Sequence, residues 1–109
     1  MPVLKEKPTL ADLQEYIVQM KIERGFQTKD KIYECFLLTE ELGELCKAVR
    51  KTQSGGKIDP NSKVGSIAEE LADVLMFTLS IANQHGIDLE QALRDKEAVN
   101  ETRQWNDVA

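Results

Sequence analysis

Two short runs place carboxylates where an apolar helix face should be. "EELGE" occupies 40–44 and "EELAD" occupies 69–73, each inside a strongly apolar stretch. At 100° per residue, Leu37, Leu38, Leu45 and Ala48 fall within about 60° of Glu41, so this carboxylate sits inside the apolar arc of its helix. Glu44 follows one turn later beside it. In the second run Ile67, Val74, Phe77 and Ile81 surround Glu70 in the same way, and Asp73 follows one turn on. Packing the two stripes together gathers Glu41, Glu44, Glu70 and Asp73. Two like charges about 6 Å apart at an effective dielectric of about 20 repel by roughly 3 kcal/mol, so the group needs a positive partner. A divalent cation meets that need. An all-oxygen donor set without Cys or His favours Mg²⁺, with Mn²⁺ as a substitute, over Zn²⁺. These four residues are the expected metal ligands.

The surrounding residues refine the chemistry. Glu69 falls in the first turn of its helix, where a negative charge suits the helix dipole. Glu40 lies on the margin of the apolar arc, which leaves two readings: a solvated side chain, or one that faces the metal site from the side and acts on a water. A di-iron bundle requires Glu-x-x-His pairs, and the only histidine, His85, lies outside both motifs and reads as a helix-end residue. Further along, Lys96, Asn100 and Arg103 share a stripe with Leu89, Ala92 and Leu93. Inward-facing donors of this kind suit phosphate oxygens; the alternative is cations snorkelling near a helix C-terminus. Trp105 has two readings as well, packing over the bundle or stacking on a base. No Ser, Cys or His nucleophile constellation is present, and "SGGK" lacks the strand and spacing of a phosphate loop. Any chemistry is metal-assisted, with water as nucleophile.

Four helices must position these groups, at about 9–24, 30–52, 66–84 and 88–103. No alternating strand pattern interrupts them, so the expected class is all-α. Thr9 caps the first helix and Gly25 ends it. The third opens with Ser66-x-x-Glu69 and closes at Gly86; the fourth opens with Asp88-x-x-Gln91. Between the second and third lies the one substantial loop, 53–65, too rich in Gly and Pro to continue a helix.

The 109 residues fit one domain, 1–109, and a chain of this size buries only roughly 60–65% of its unfolded surface. Such a modest core gains from oligomerisation. A net charge of −5 with no Lys/Arg-rich tract argues against a large nucleic acid as partner. No run is long and apolar enough for a membrane span, and the N-terminus carries no apolar leader, so a soluble protein of the cytoplasm is expected. Cys35 and Cys46 stand eleven residues apart on one helix, about 16 Å along its axis, and read as reduced core thiols.

The acidic text, "EELGE" followed after a loop by "EELAD", resembles the signature of MazG-like nucleotide pyrophosphohydrolases. The similarity extends over about residues 9–105, including "KEAVNETRQW" near the end. The resemblance implies an all-α, four-helix bundle-like MazG fold completed by oligomerisation, as a homodimer or homotetramer. It implies Mg²⁺ on Glu41, Glu44, Glu70 and Asp73. Glu40 and Glu41 would be the catalytic carboxylates, with Glu40 as general base, and Lys96, Asn100 and Arg103 would contact the triphosphate. The reaction it implies is hydrolysis of a (deoxy)nucleoside triphosphate between the α and β phosphates, giving monophosphate and pyrophosphate, as in clean-up of the nucleotide pool. Phosphoribosyl-ATP pyrophosphatase and dUTPase-like enzymes of the same superfamily are the alternative activities. A non-catalytic helical module holding a structural cation is the alternative of a different class. Tyr16 and Met20 on the first helix are candidates for the base pocket.

Overall fold

The structure, a computed structural model, describes residues 1–27, 30–53 and 65–104. Most of the 53–65 loop and the tail bearing Trp105 lie outside the described residues. The four helices are α1 (Leu10–Arg24), α2 (Lys31–Gln53), α3 (Ile67–Gln84) and α4 (Leu89–Glu101), and no strand occurs among the described residues.

The helix ends follow from local chemistry. Thr9 Oγ1 accepts from the Asp12 N–H and Asp12 Oδ2 accepts from the Thr9 N–H, both at 3.0 Å, a reciprocal box at the start of α1. Gly25 ends that helix at φ 69°, left-handed backbone that a side chain disfavours. At α3 the Ser66 hydroxyl accepts from the Glu69 N–H, and the Glu69 carboxylate accepts from that same hydroxyl. Asp88 Oδ1 caps α4 through the N–H groups of Glu90 and Gln91, while the Gln91 side chain turns to Asp95. His85 is the C-cap of α3, followed by Gly86 at φ 64°.

α2 and α3 form the main antiparallel pair: Glu34 near the start of α2 meets Ser80 near the end of α3. α1 packs on α3, also antiparallel, and α4 packs on α1. Ile17, Met20 and Leu79 form the core cluster, with Leu13, Tyr16 and Leu89 against it. An amide clasp fixes where α4 departs. Gln14 Nε2 donates to Asn83 Oδ1 and the Ile87 carbonyl, Asn83 Nδ2 donates to the Gln14 carbonyl, and Gln14 Oε1 accepts from the Leu89 N–H.

A single chain leaves much apolar surface open. Ile32, Phe36 and Leu42 on α2, and Leu71 and Leu75 on α3, are all exposed. The radius of gyration is 16.9 Å, against about 13 Å for a compact domain of about 100 residues. Cys35 and Cys46 are free, half-buried and exposed respectively, so the expectation that they lie in the core is corrected. They sit on the back of α2, roughly 120–140° from the Glu41 arc that faces α3. Among the described residues no helix is long and apolar enough to cross a membrane.

Candidate active site

The acidic residues of α2 and α3 meet because the two apolar arcs pack against each other. Glu41, Glu44 and Glu70 each offer a carboxylate oxygen, and these oxygens lie within 4.8 Å of one another. Glu70 is 3% exposed, Glu41 is half-buried, and Glu44 is exposed at the rim. Glu70 Oε1 accepts from the Gly65 N–H at 2.9 Å, which anchors one oxygen. A Cβ at Gly65 would stand 2.7 Å from Glu69 Oε2, the end of an exposed and movable side chain, and 3.1 Å from Glu70 Oε1, so a larger residue here would displace Glu69 and crowd the anchored oxygen. The other oxygen, Glu70 Oε2, is buried without a hydrogen-bond partner, as is Glu41 Oε2.

The electrostatics follow from that crowding. Burial first, then the charges of Glu44 and Asp73 and the carboxyl of Glu70, push the Glu41 pKa up to about 7. Burial, followed by the charges of Glu70 and Glu69, raises Asp73 as well. Two orphaned buried oxygens and a carboxyl held above its usual range fit a cation between the helices, since a cation supplies the missing partner. With oxygen donors throughout, the set suits a hard divalent ion.

The other sequence candidates occupy distinct places. Asp73 is half-buried beside the trio rather than within it, and Glu40 is exposed on α2. On α4, Lys96 and Arg103 are exposed and Asn100 is half-buried. That helix packs on α1, whereas the acidic trio stands on α2 and α3.

Beside the trio lies a cavity of about 520 Å³, in the range of small-molecule sites. Ile17, Met20, Leu37, Met76 and Phe77 supply apolar wall, and Asp73 stands on its lining, which joins it to the acidic group. Met20 therefore faces this cavity, whereas Tyr16 packs against the core cluster. The cavity also contains a polar network that sequence reasoning missed. Lys21 Nζ donates to Glu34 Oε1 and, at 2.8 Å, to Ser80 Oγ; Ser80 Oγ donates to Glu34 Oε2 at 2.7 Å. Glu34 and Ser80 are 5% and 4% exposed. The signal for Glu34 was present: it precedes Glu41 by seven residues, two helical turns, and shares its apolar arc. Lys21 and Ser80 carried no comparable mark. Gly65 was also missed, because its role depends on where the Glu70 side chain turns.

Comparison with known proteins places α2, α3 and α4 within one family's domain. Residues 27–104 match the family model described as the MazG nucleotide pyrophosphohydrolase domain. The chain is 29% identical over 101 residues to dCTP pyrophosphatase 1 of Mus musculus; the match covers 89% of this chain but only 59% of the mouse protein. It is 29% identical over 92 residues to the uncharacterized protein YvdC of Bacillus subtilis strain 168, covering 78% of this chain and 86% of that one. Among solved structures, the C-terminally tagged iMazG from Vibrio DAT 722 superposes with a TM-score of 0.65 at 37% identity, covering 87% of this chain and 100% of the other. The N-terminally tagged form gives 0.63 at 34%, covering 91% and 100%.

Proposed function

This chain belongs to the MazG nucleotide pyrophosphohydrolase family, and on that premise we propose that it hydrolyses nucleoside triphosphates, including deoxy forms, between the α and β phosphates. The observation that carries the reading is the Glu41–Glu44–Glu70 trio, its inner oxygens unpartnered, opening beside a cavity of nucleoside size.

Glu41, Glu44 and Glu70, with Asp73 beside them, hold Mg²⁺ or Mn²⁺ in this reading. Such an ion supplies countercharge to the polyphosphate and polarises the attacked phosphorus. The protein's own groups do the rest. Glu40, one residue from the ligand set and open to solvent, accepts the proton of the attacking water. The water oxygen bonds to the α phosphorus, the α–β bridging oxygen leaves with pyrophosphate, and the proton passes from Glu40 to solvent. Gly65 keeps Glu70 in place through its N–H, and the apolar wall of the cavity limits water around the base. Lys96, Asn100 and Arg103 donate to oxygens of the departing pyrophosphate.

A second copy of the chain covers the open faces of α2 and α3, giving a homodimer or homotetramer that acts on the cytoplasmic nucleotide pool. The mouse relative is named for dCTP, which makes dCTP the first substrate to assay. The test is a panel of NTPs and dNTPs incubated with and without Mg²⁺. The expected products are monophosphate and pyrophosphate in equal amounts, dependent on the cation. Absence of turnover across the panel, or release of orthophosphate and the nucleoside diphosphate, overturns the proposal.

A further inference from the structure

The face of α2 that turns away from α3 carries a pattern that the single chain leaves open. Ile32, Cys35, Thr39, Leu42, Cys46 and Val49 follow one another at alternating spacings of three and four residues, the a and d positions of a heptad seam. They occupy an arc of about 100°, centred roughly 130° from Glu41, so the seam lies behind the acidic trio and leaves it clear. Cys35 is half-buried and the other five are exposed. Beside the seam stand the exposed Phe36 and Gly43, where an added Cβ would meet no atom within 4 Å. Glycine in a helix interior weakens the helix, and no crowding within the chain calls for one at this point of α2.

The order of residues along the seam matches its own reverse. When two copies of it run antiparallel about a two-fold axis crossing α2 between residues 40 and 41, Ile32 meets Val49, Cys35 meets Cys46 and Thr39 meets Leu42, each pair occurring twice. The flanking positions agree with that register. Phe36 falls over Gly43 on one side, where the missing side chain makes room for the ring, and Leu38 falls beside Leu45 on the other. Resting on the reading that a second copy covers the open faces of α2 and α3, we propose that this seam packs antiparallel on the same seam of a second copy, with Cys35 of each chain opposite Cys46 of the other. Helices packed about 8–10 Å apart, with Cα atoms about 2.3 Å from each axis, bring facing Cα atoms to roughly 4–7 Å, the span a disulfide bridges. A slip of one heptad moves the two thiols roughly 10 Å apart along the axis, and a parallel pairing moves them roughly 16 Å apart.

The chain's two cysteines therefore report the register. The full-length wild type, Cys35→Ser, Cys46→Ser, and the two variants co-expressed are treated with diamide or with bismaleimidoethane and run on non-reducing denaturing gels. Diamide takes up two electrons and two protons as two thiols join in a disulfide; bismaleimidoethane bridges neighbouring thiols without oxidation. The wild type should form a covalent dimer with at least one reagent. Each variant alone should lose it, because its like thiols stand about 16 Å apart, and co-expression should restore it in about half the chains, those in mixed dimers. A covalent dimer of either variant alone, or none from the wild type or the co-expressed pair, overturns the proposal. Sedimentation equilibrium of the untreated wild type separates the two readings. A monomer removes the assembly itself, whereas a dimer or tetramer without this complementation removes the seam alone.

Discussion

Glu41 concentrates the residue-scale argument, since its carboxyl is pushed from an ordinary 4.5 up to about 7 by burial and by its acidic neighbours. Between those two values the folded protein holds more protons than the unfolded chain, so stability contributed here is present below about 4.5 and is lost as pH rises through about 7. Asp73 is raised and acts in the same sense. The cation-free protein should therefore lose thermal stability as pH climbs through this window, and Glu41→Gln should flatten the decline. Added Mg²⁺ should stabilise more at high pH than at low, because the ligands bind it deprotonated. Scanning calorimetry of both proteins across the window checks this; identical slopes would contradict it. At this scale the sequence was partly legible. Helical spacing placed Glu41 and Glu70 on apolar arcs, and arcs of that kind pack together. The Lys21–Glu34–Ser80 network was not legible, because three residues from three helices meet only through the tilts of those helices.

At the scale of elements, the caps were readable in the text, since Thr9, Ser66 and Asp88 act through groups two or three residues away. The Gln14–Asn83 clasp was not, because its partners lie 69 residues apart and the link to Leu89 spans 75. It is nonetheless the device that orients α4. Gln14→Ala removes three hydrogen bonds at the junction of α1, α3 and α4, and at about 0.5–1.5 kcal/mol each the expected loss is about 2–3 kcal/mol. Tm should fall by on the order of 10 °C. Denaturant unfolding measures the loss, and hydrogen exchange should show the amides of α4 opening first. A change below about 0.5 kcal/mol would mean that the clasp contributes little.

For the whole molecule, the all-α class and its four helices were legible from periodicity alone, because each apolar stretch repeats at helical spacing. The faces that stay open in one chain were harder to read. α3 is apolar over much of its circumference and α2 carries Ile32, Phe36 and Leu42 beyond its arc, so sequence could not say which apolar residues meet the neighbouring helix and which are left over. Phe36, 60% exposed, lies on the face left over. In sedimentation equilibrium the protein should behave as a dimer or tetramer, and Phe36→Glu should shift it toward monomer while retaining helical content; a monomeric wild type would contradict that assembly. The central claim, that the acidic trio holds the cation that makes phosphoanhydride hydrolysis possible, is tested most directly by one comparison. Pyrophosphate release from the best substrate of the panel is measured with Mg²⁺ for the wild type and for Glu41→Gln at matched helical content. The account predicts a loss of at least about 100-fold in the variant, several kcal/mol of charge stabilisation removed. A Glu41→Gln protein as active as the wild type would contradict it.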